Sequence, residues 1–255
     1  MALLDPPLRP GLAVTRLRGY PLRLEYDRGS YLGRFLEYRG MYEEALIKTM
    51  FRELRPGGCM VDVGANIGLH TVVAAHRVGP EGRVLALEPQ RRIHDRLLTN
   101  IALNELRNVV VRRVAASTRE GELVLHQPNA GNDGQATLAL SAGERSAGAE
   151  SIRAESLDRI LDEAVPDRRP EMMKLDVEGA ELDVLRSAPR LFATQPPRYL
   201  FIECIERHLN RFDATSGTLM DWLARAGYRL RALRAGRWVP VSPADGLNLD
   251  LLASR

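Results

Sequence analysis

Two segments of the chain carry charged residues at spacings suited to chemistry. In residues 61–68, Val-Asp-Val-Gly-Ala-Asn-Ile-Gly, the acid Asp62 ends a short apolar run and a glycine-punctuated turn follows. In residues 174–179, Lys-Leu-Asp-Val-Glu-Gly, charged residues occupy every second position before a glycine. Alternate residues of a strand share one face, so Lys174 and Asp176 are expected to point the same way. A carboxylate at the end of a strand can orient and deprotonate a bound hydroxyl, so this segment predicts a catalytic site.

The same charged residues also have a purely structural interpretation. A helix is predicted to follow Asp176 and Glu178, which would then only cap its N-terminus. Lys174 would in that case do no more than neutralise the two acids. Spacing alone leaves the catalytic and the structural interpretations level.

A further acid ends the neighbouring predicted strand, residues 199–203. Glu203 closes this strand, and Glu206 and His208 follow it. Acids that end adjacent strands can hold a divalent cation, which would involve Asp176 and Glu203, or they can hold substrate hydroxyls directly. His208 is a candidate general base, although a histidine after a strand is more often an ordinary surface residue. Both the metal-bound and the metal-free arrangement stay open.

The glycine spacing of residues 64–68 separates two classes of cofactor site. A dinucleotide fingerprint, G-x-G-x-x-G, uses its middle glycine to bring the backbone against a pyrophosphate. Here the loop reads Gly-Ala-Asn-Ile-Gly, and Asp62 precedes it. A carboxylate repels a pyrophosphate but suits a cationic amino-acid ligand. The run resembles the first motif of class I methyltransferases, whose cofactor S-adenosylmethionine (SAM) has a positive amino group and a sulfonium, so SAM is the predicted cofactor.

Glu88 follows the second predicted strand, residues 83–87, and is followed by Pro89. In nucleoside-binding α/β folds, a carboxylate at this position accepts hydrogen bonds from both ribose hydroxyls. The alternative is an acid favoured only by the dipole of the next helix. In this fold the loop after the third strand borders the adenine, which makes Val114 and Ala115 candidate contacts.

Alternating strand and helix patterns are expected to position these residues. Strands are predicted at residues 60–63, 83–87, 109–114, 122–126, 172–175, 199–203, 228–233 and 247–252, and helices at 42–54, 69–78, 91–103, 157–163, 180–187 and 218–225. This order predicts an α/β fold with a mostly parallel, seven-stranded, doubly wound sheet and helices on both faces. Residues 1–40 are interpreted as an N-terminal extension that forms a hairpin or lid, and residues 41–255 as the main domain. Residues 129–150 are predicted to be a long, substrate-facing loop.

Composition argues against several classes of function. The 36 Lys and Arg residues nearly balance the 33 Asp and Glu residues, and without a dense basic stripe nucleic-acid binding is not expected. Lys48 and Lys174 are the only lysines, and neither belongs to a Tyr-x-x-x-Lys pair, which weakens an NAD(P)-dependent oxidoreductase as the alternative function. Two cysteines, no secretion signal and no apolar stretch near the roughly 20 residues of a membrane span predict a soluble, cytoplasmic protein without membrane partners.

Several motifs together resemble the FkbM family of SAM-dependent methyltransferases. They are residues 61–68, Glu88-Pro89, Ser156-Leu157-Asp158, residues 174–181 and Phe201-Ile202-Glu203. The resemblance implies a class I, Rossmann-like fold. It also implies O-methylation of a hydroxyl on a small molecule, typically a macrolide, a polyketide or a sugar intermediate of natural-product biosynthesis.

The resemblance also assigns roles to individual residues. It implies that Asp62, Gly64, Asn66 and Glu88 bind SAM, that Asp176 and Glu178 belong to the active site, and that Glu43 faces the ligand. The complete set of predicted SAM contacts is Glu43, Asp62, Gly64, Ala65, Asn66, Gly68, His70, Glu88, Pro89, Val114, Ala115 and Asp176. The predicted catalytic residues are Lys174, Asp176, Glu178, Glu203 and His208.

Two further alternatives stay open beside this prediction and the oxidoreductase. A non-catalytic SAM-binding domain would keep the cofactor site without turnover. N-methylation of RNA or protein is weakened by the lack of a basic stripe and of an Asn-Pro-Pro-aromatic motif. The sequence leaves open a homodimer and a divalent metal ion.

Overall fold

The structure, a computed structural model, describes residues 11–127, 136–141, 143–242 and 248–255. Its strands are β1 (Leu12–Arg16), β2 (Arg23–Asp27), β3 (Cys59–Val63), β4 (Arg83–Leu87), β5 (Val109–Arg112), β6 (Ala115–Ala116), β7 (Gly121–Gln127), β8 (Gly148–Glu155), β9 (Met172–Leu175), β10 (Tyr199–Cys204), β11 (Arg229–Arg234), β12 (Arg237–Pro240) and β13 (Leu249–Ser254). Its helices are α1 (Tyr31–Arg39), α2 (Glu44–Glu53), α3 (Leu69–Val78), α4 (Arg91–Leu103), α5 (Leu157–Ala164), α6 (Glu181–Arg186), α7 (Pro189–Thr194), α8 (Glu206–Leu209) and α9 (Ser216–Arg225). Within these described ranges, no helix is both long enough and apolar enough to cross a bilayer.

The central sheet has eight strands in the order β12-β11-β13-β10-β9-β3-β4-β5. The five strands β10, β9, β3, β4 and β5 are parallel to one another. At the β10 edge of the sheet, β13 pairs antiparallel with β10, β11 antiparallel with β13, and β12 antiparallel with β11. The chain order reverses between β3 and β9, and such a switch point is where open α/β sheets bind ligands. The predicted α/β class is confirmed, but the sheet is mixed and has eight strands where seven were predicted.

The strand of the central sheet that was not predicted is β12. It forms a hairpin with β11, in which Arg234 pairs with Arg237 across the turn residues Ala235 and Gly236. Both turn residues have positive φ, 49° and 77°, as a two-residue type I′ turn requires. Such turns are usually signalled by Asn-Gly or Asp-Gly, so an alanine in the first position concealed the hairpin.

Side-chain alternation divides the core between the two faces of the central sheet. On β3, Val61 and Val63 join an apolar cluster with residues of α5, α6 and α9, whereas Met60 joins another with residues of α2, α3 and α4. All five residues of β3 are buried. This is the pattern of a central parallel strand covered by helices on both sides.

A second, smaller sheet consists of β6, β8 and β7 in that order. The additional strand predicted at residues 122–126 is present as β7. The prediction of a loop over residues 129–150 is partly wrong, because β8 begins at Gly148 and Thr137 forms a bridge with His126. Residues 128–135 and 142 lie outside the described residues.

The predicted N-terminal hairpin is formed by β1 and β2, and α1 follows it. Tyr26 of β2 belongs to the same apolar cluster as α2 and α3. Two side chains pair with the outer edge of β2. Asn104, the C-terminal cap of α4, accepts at Oδ1 from the N–H of Arg23 at 2.8 Å, and Asn100 of α4 accepts at Oδ1 from the N–H of Glu25 at 2.6 Å. The described part of the N-terminal extension is therefore packed into the core of the main domain.

Candidate functional site

The turn from β3 into α3 forms a glycine loop, residues 64–68, at the carboxyl edge of the sheet. The backbone N–H groups of Gly64 and Ala65 both donate to the carbonyl oxygen of Leu87 at 3.0 Å, which ties the loop to the end of β4. Gly64 has a φ of 77°, and a Cβ atom at this position would overlap the carbonyl oxygen of Asp176. Glycine is needed here both for its backbone angle and for the close approach of the chain after β9.

Glu88 joins the glycine loop to the start of α4. Its Oε2 accepts from the N–H of Asn66 at 2.9 Å, and its Oε1 accepts from the N–H of Gln90 at 2.9 Å. The side chain is buried, and this burial raises the pKa of Glu88 to about 7 in spite of the two backbone donors. Both carboxylate oxygens thus hold the backbone in place around the ligand edge of the sheet.

The glycine loop, Glu88 and the second sheet enclose a cleft that we name the glycine-loop cleft. The cleft contains about 690 Å³ of empty space when the open solvent at its mouth is included. The predicted SAM contacts that line it are Gly64, Asn66, Glu88, Pro89, Val114, Ala115 and Asp176.

Sequence inspection missed Gln90 and an apolar wall of this cleft. The wall consists of Leu125 on β7 together with Ala136 and Leu138. Ala136 and Leu138 belong to the stretch predicted to face the substrate, but they lie with the predicted cofactor contacts. Only the tertiary placement of the second sheet brings them there, and no local pattern signals it.

Asp62 lies outside the lining of the glycine-loop cleft and is fully buried. Its Oδ2 accepts from the hydroxyl of Thr71 at 2.6 Å, and its Oδ1 has no hydrogen-bond partner in the described part of the chain. The negative charge of Asp62 acts on the buried side chain of Lys174. Direct contact between Asp62 and a cofactor stays a prediction.

Lys174 is a buried cation that is influenced by three nearby acids. Burial alone lowers the pKa of Lys174, but the charges of Asp176, Asp62 and Glu43 outweigh it and raise the pKa above its ordinary value. Its Nζ lies 2.9 Å from Oδ2 of Asp176. Lys174 keeps its proton at neutral pH, so it is unsuited to act as a base. Its charged ammonium group instead holds the carboxylate of Asp176 in position.

The other predicted SAM contacts outside the glycine-loop cleft have different surroundings. Glu43 Oε2 lies 2.9 Å from His70 Nε2. Burial raises the pKa of Glu43, but the contact with His70 and the charge of Lys174 lower it overall. His70 and Ala65 line a second cleft, and Gly68 forms the N-terminal cap of α3. For these residues too, contact with a cofactor stays a prediction.

The second cleft, which we name the tyrosine cleft, has Tyr31 of α1 and Tyr42 on its wall. The two rings lie edge to face with their centroids 6.1 Å apart. All five predicted catalytic residues line this cleft: Lys174, Asp176, Glu178, Glu203 and His208. Asp176 and Glu178 also line the glycine-loop cleft, so the two clefts share a wall.

Three of these side chains converge on one point. His208 Nδ1 lies 3.0 Å from Glu178 Oε2 and 3.7 Å from Glu203 Oε2. Burial, followed by the charges of nearby arginines, lowers the pKa of His208 to about 4, which leaves it uncharged and weakly basic at neutral pH. Burial and the charge of Asp176 raise the pKa of Glu178 to about 8. Burial and the charges of Asp176 and Glu178 raise the pKa of Glu203 to about 10.

The residues suggested as metal ligands, Asp176 and Glu203, are not the group that the structure brings together, and metal binding by that pair stays a prediction. Asp176 Oδ2 is held by Lys174, and among the described residues the ligand-type atoms that lie within 4.8 Å of one another belong to Glu178, Glu203 and His208. The difference originates at Glu178, whose φ of 54° places it in the left-handed region. A glutamate rarely adopts this conformation, so the residue type gave no signal of it.

Comparisons with known proteins give matches across most of the chain. A family model described as the methyltransferase FkbM domain matches residues 62–230. Methyltransferase sdnD of Sordaria araneosa is 32% identical over 206 residues, which are 69% of this chain and 77% of the relative. Hexuronic acid methyltransferase AglP of Haloferax volcanii is 25% identical over 191 residues, 74% of this chain and 73% of the relative. The crystal structure of M. jannaschii TYW2 in complex with AdoMet aligns with a TM-score of 0.46 and 15% identity, covering 96% of this chain and 86% of that chain.

Proposed function

Because the chain belongs to the FkbM family of SAM-dependent methyltransferases, we propose that it transfers the methyl group of SAM to a hydroxyl of a small molecule. The observation that carries this proposal is the position of Asp176, which lines both clefts. A carboxylate at the junction of a cofactor cleft and an acceptor cleft is placed to act where the two ligands meet. Its side chain is 34% exposed, so a ligand can reach it.

We assign the glycine-loop cleft to the adenosyl group of SAM. Glu88 provides a carboxylate for the two ribose hydroxyls, and apolar side chains such as Val114 and Leu125 provide walls for a purine. We assign Ala115 to the same adenine wall and residues 64–68 to the methionine part. When bound, SAM supplies an electrophilic methyl group.

Asp176 is assigned to orient the acceptor hydroxyl and to take its proton. Lys174 fixes the Asp176 carboxylate through the contact of 2.9 Å between Nζ and Oδ2. Positioning of the acceptor and removal of its proton are the two main contributions that side chains can make to methylation of an oxygen. Both contributions come from residues at the carboxyl end of β9.

For the acceptor, we propose a hydroxylated small molecule such as a sugar or a natural-product intermediate. Tyr31 and Tyr42 offer ring surfaces for a carbon skeleton, and Glu178 and Glu203 offer oxygens to additional hydroxyls. The relative AglP is named as a hexuronic acid methyltransferase, which favours including sugars among the candidates.

Calorimetric titration of the purified chain with SAM, S-adenosylhomocysteine and NADH tests the cofactor. We expect both adenosyl compounds to bind at one site and NADH not to bind. Incubation with SAM and a panel of sugars and hydroxylated natural products, followed by mass spectrometry, then tests the reaction. A product methylated on nitrogen, or NADH binding in place of SAM, would contradict the proposal.

The assignment of Glu88 predicts a specific pH dependence of nucleoside binding. With a pKa of about 7 in the free protein, Glu88 loses its negative charge as the pH falls through neutrality and accepts ribose hydroxyls less well. Affinity for methylthioadenosine, which has no amino acid to titrate, should therefore be about tenfold weaker at pH 6 than at pH 8. Calorimetry at the two pH values measures this ratio.

Two variants serve as controls for this prediction. Glu88→Gln, which cannot titrate, should bind methylthioadenosine more weakly and with no dependence on pH between 6 and 8. Glu122→Gln, the same change at an exposed position on β7, should keep the tenfold ratio. A wild-type ratio near one would remove Glu88 from the ribose site.

A further inference from the structure

We propose that Glu178, Glu203 and His208 form a site for one divalent transition-metal ion within the tyrosine cleft. One potential ligand atom of each residue lies within 4.8 Å of the other two. His208 Nδ1 faces Oε2 of Glu178 and Oε2 of Glu203, and all three atoms are buried.

The two distances from His208 Nδ1 are close to those between ligands of a single ion. Ligand atoms about 2.1 Å from an ion, at angles of 90° to 110°, lie about 3.0 to 3.4 Å from one another. His208 Nδ1 is 3.0 Å from the oxygen of Glu178 and 3.7 Å from that of Glu203. A shift of a few tenths of an ångström would therefore bring both of these contacts of His208 into that range.

The three atoms also lack the hydrogen bonds that would otherwise explain their burial. The side chain of His208 is only 5% exposed, yet its Nδ1 makes no hydrogen bond of acceptable geometry within the described ranges. The Oε2 atoms of Glu178 and Glu203 have no such partner there either. Buried polar atoms are normally paired, and a cation between them would satisfy all three at once.

Three separate elements bring these ligands together. Glu203 lies on β10, His208 on α8, and Glu178 in the turn after β9. The next residue, Gly179, approaches α8 so closely that a Cβ atom would overlap the carbonyl oxygen of His208. Thr137 adds a hydrogen bond of 3.2 Å to the carbonyl oxygen of Glu178. The backbone around the ligands is thus fixed without the ion.

The ligand set indicates which ions fit. Two carboxylates and one imidazole suit ions such as Mn²⁺, Fe²⁺ or Zn²⁺, whereas Mg²⁺ and Ca²⁺ prefer oxygen ligands throughout. Three protein ligands leave coordination positions open toward the cleft. There the ion would bind an acceptor hydroxyl and lower its pKa, so that Asp176 takes the proton more easily. This role rests on the proposed function, but binding of the ion does not.

Arg207 provides an independent check on the geometry. Its Nε donates to His208 Nε2 at 3.1 Å. A metal ion on Nδ1 places the proton of the neutral imidazole on Nε2. The Nε–H of Arg207 and the Nε2–H of His208 would then be two donors that face each other. The exposed side chain of Arg207 must turn away when the ion binds. Arg207→Gln, which offers an acceptor oxygen, should therefore bind the ion more tightly, by about threefold or more.

The test is titration of chelator-treated, full-length protein with Mn²⁺ by electron paramagnetic resonance and with Zn²⁺ by calorimetry, without SAM or acceptor. We expect one ion per chain. Glu203→Gln and His208→Gln should each weaken binding by about 100-fold or more. Asp176→Asn removes a neighbouring acid that is paired with Lys174. This variant should change the affinity for the ion by less than about tenfold. Circular dichroism and SAM affinity of each variant verify that it folds.

Two results would overturn the inference. One is a wild-type chain that binds neither ion, and the other is unchanged affinity in Glu203→Gln and His208→Gln. Methyl transfer at full rate in excess EDTA, together with absent metal binding, would refute the metal site and leave the proposed function intact. Metal binding without transfer to any acceptor would support the site and count against the proposed function.

Discussion

Asp176→Asn is expected to lower the rate of methyl transfer by about 10²- to 10⁴-fold, the usual contribution of a positioned general base. The amide keeps the size of the side chain but does not take a proton from the acceptor. SAM affinity should change by less than about threefold, because the ribose and adenine contacts that we assign lie elsewhere in the cleft. Single-turnover assays with an acceptor found by the screen, and calorimetry with SAM, measure the two quantities.

Asp221→Asn is the matched control for Asp176→Asn, because it makes the same change at an exposed position on α9. It should leave both turnover and SAM affinity unchanged. Full turnover in Asp176→Asn would show that another group removes the proton. A wild-type chain that binds SAM but methylates no acceptor would instead favour the non-catalytic alternative.

Gly64→Ala is expected to weaken SAM binding by at least about tenfold and to destabilise the fold by about 2 to 5 kcal/mol. An L-residue at a φ of 77° costs about 1 to 2 kcal/mol. The overlap of the new Cβ with the carbonyl oxygen of Asp176 adds about 1 to 3 kcal/mol, as overpacking in a rigid site usually does. The backbone shift that relieves this overlap moves both the glycine loop and the chain after β9.

Gly57→Ala isolates the contribution of the backbone angle. Gly57 has the same φ of 77°, but a Cβ atom added there meets nothing within 4 Å. The free energy of unfolding of this variant should fall by only about 1 to 2 kcal/mol, and its affinity for SAM should be unchanged. Denaturant unfolding and SAM titration of both variants give the comparison. Equal losses of stability and of SAM affinity in Gly64→Ala and Gly57→Ala would mean that contact with Asp176 does not constrain the glycine loop.

The parallel part of the fold was predictable because its signals are local. The apolar run of β3 ends in Asp62 and a glycine turn, and the acid after β4 marks a second strand end at the same edge. Parallel strands covered on both faces are continuous apolar runs, and their carboxyl ends must meet at one edge. The positions of Gly64 and Glu88 around one cleft therefore followed from sequence order, whereas the role of Asn66 was predicted from the family resemblance.

The remaining features depend on contacts that no local pattern encodes. The wall formed by Leu125 and Leu138 requires the second sheet, whose strand β8 has few apolar residues. The convergence of His208 on Glu178 depends on a left-handed backbone at a residue that seldom adopts it. The full burial of Asp62 depends on α3, which supplies Thr71 as its partner.

Asn100 limits how the N-terminal segment can be exchanged by recombination or engineering. This fully buried amide accepts from the N–H of Glu25 at 2.6 Å and donates to the carbonyl oxygens of Glu25 at 3.0 Å and Ile67 at 2.8 Å. One side chain thus links the hairpin beside the tyrosine cleft to the glycine loop. A foreign N-terminal module that alters acceptor choice must present an extended backbone to Asn100, or it will leave polar groups unpaired next to the cofactor loop.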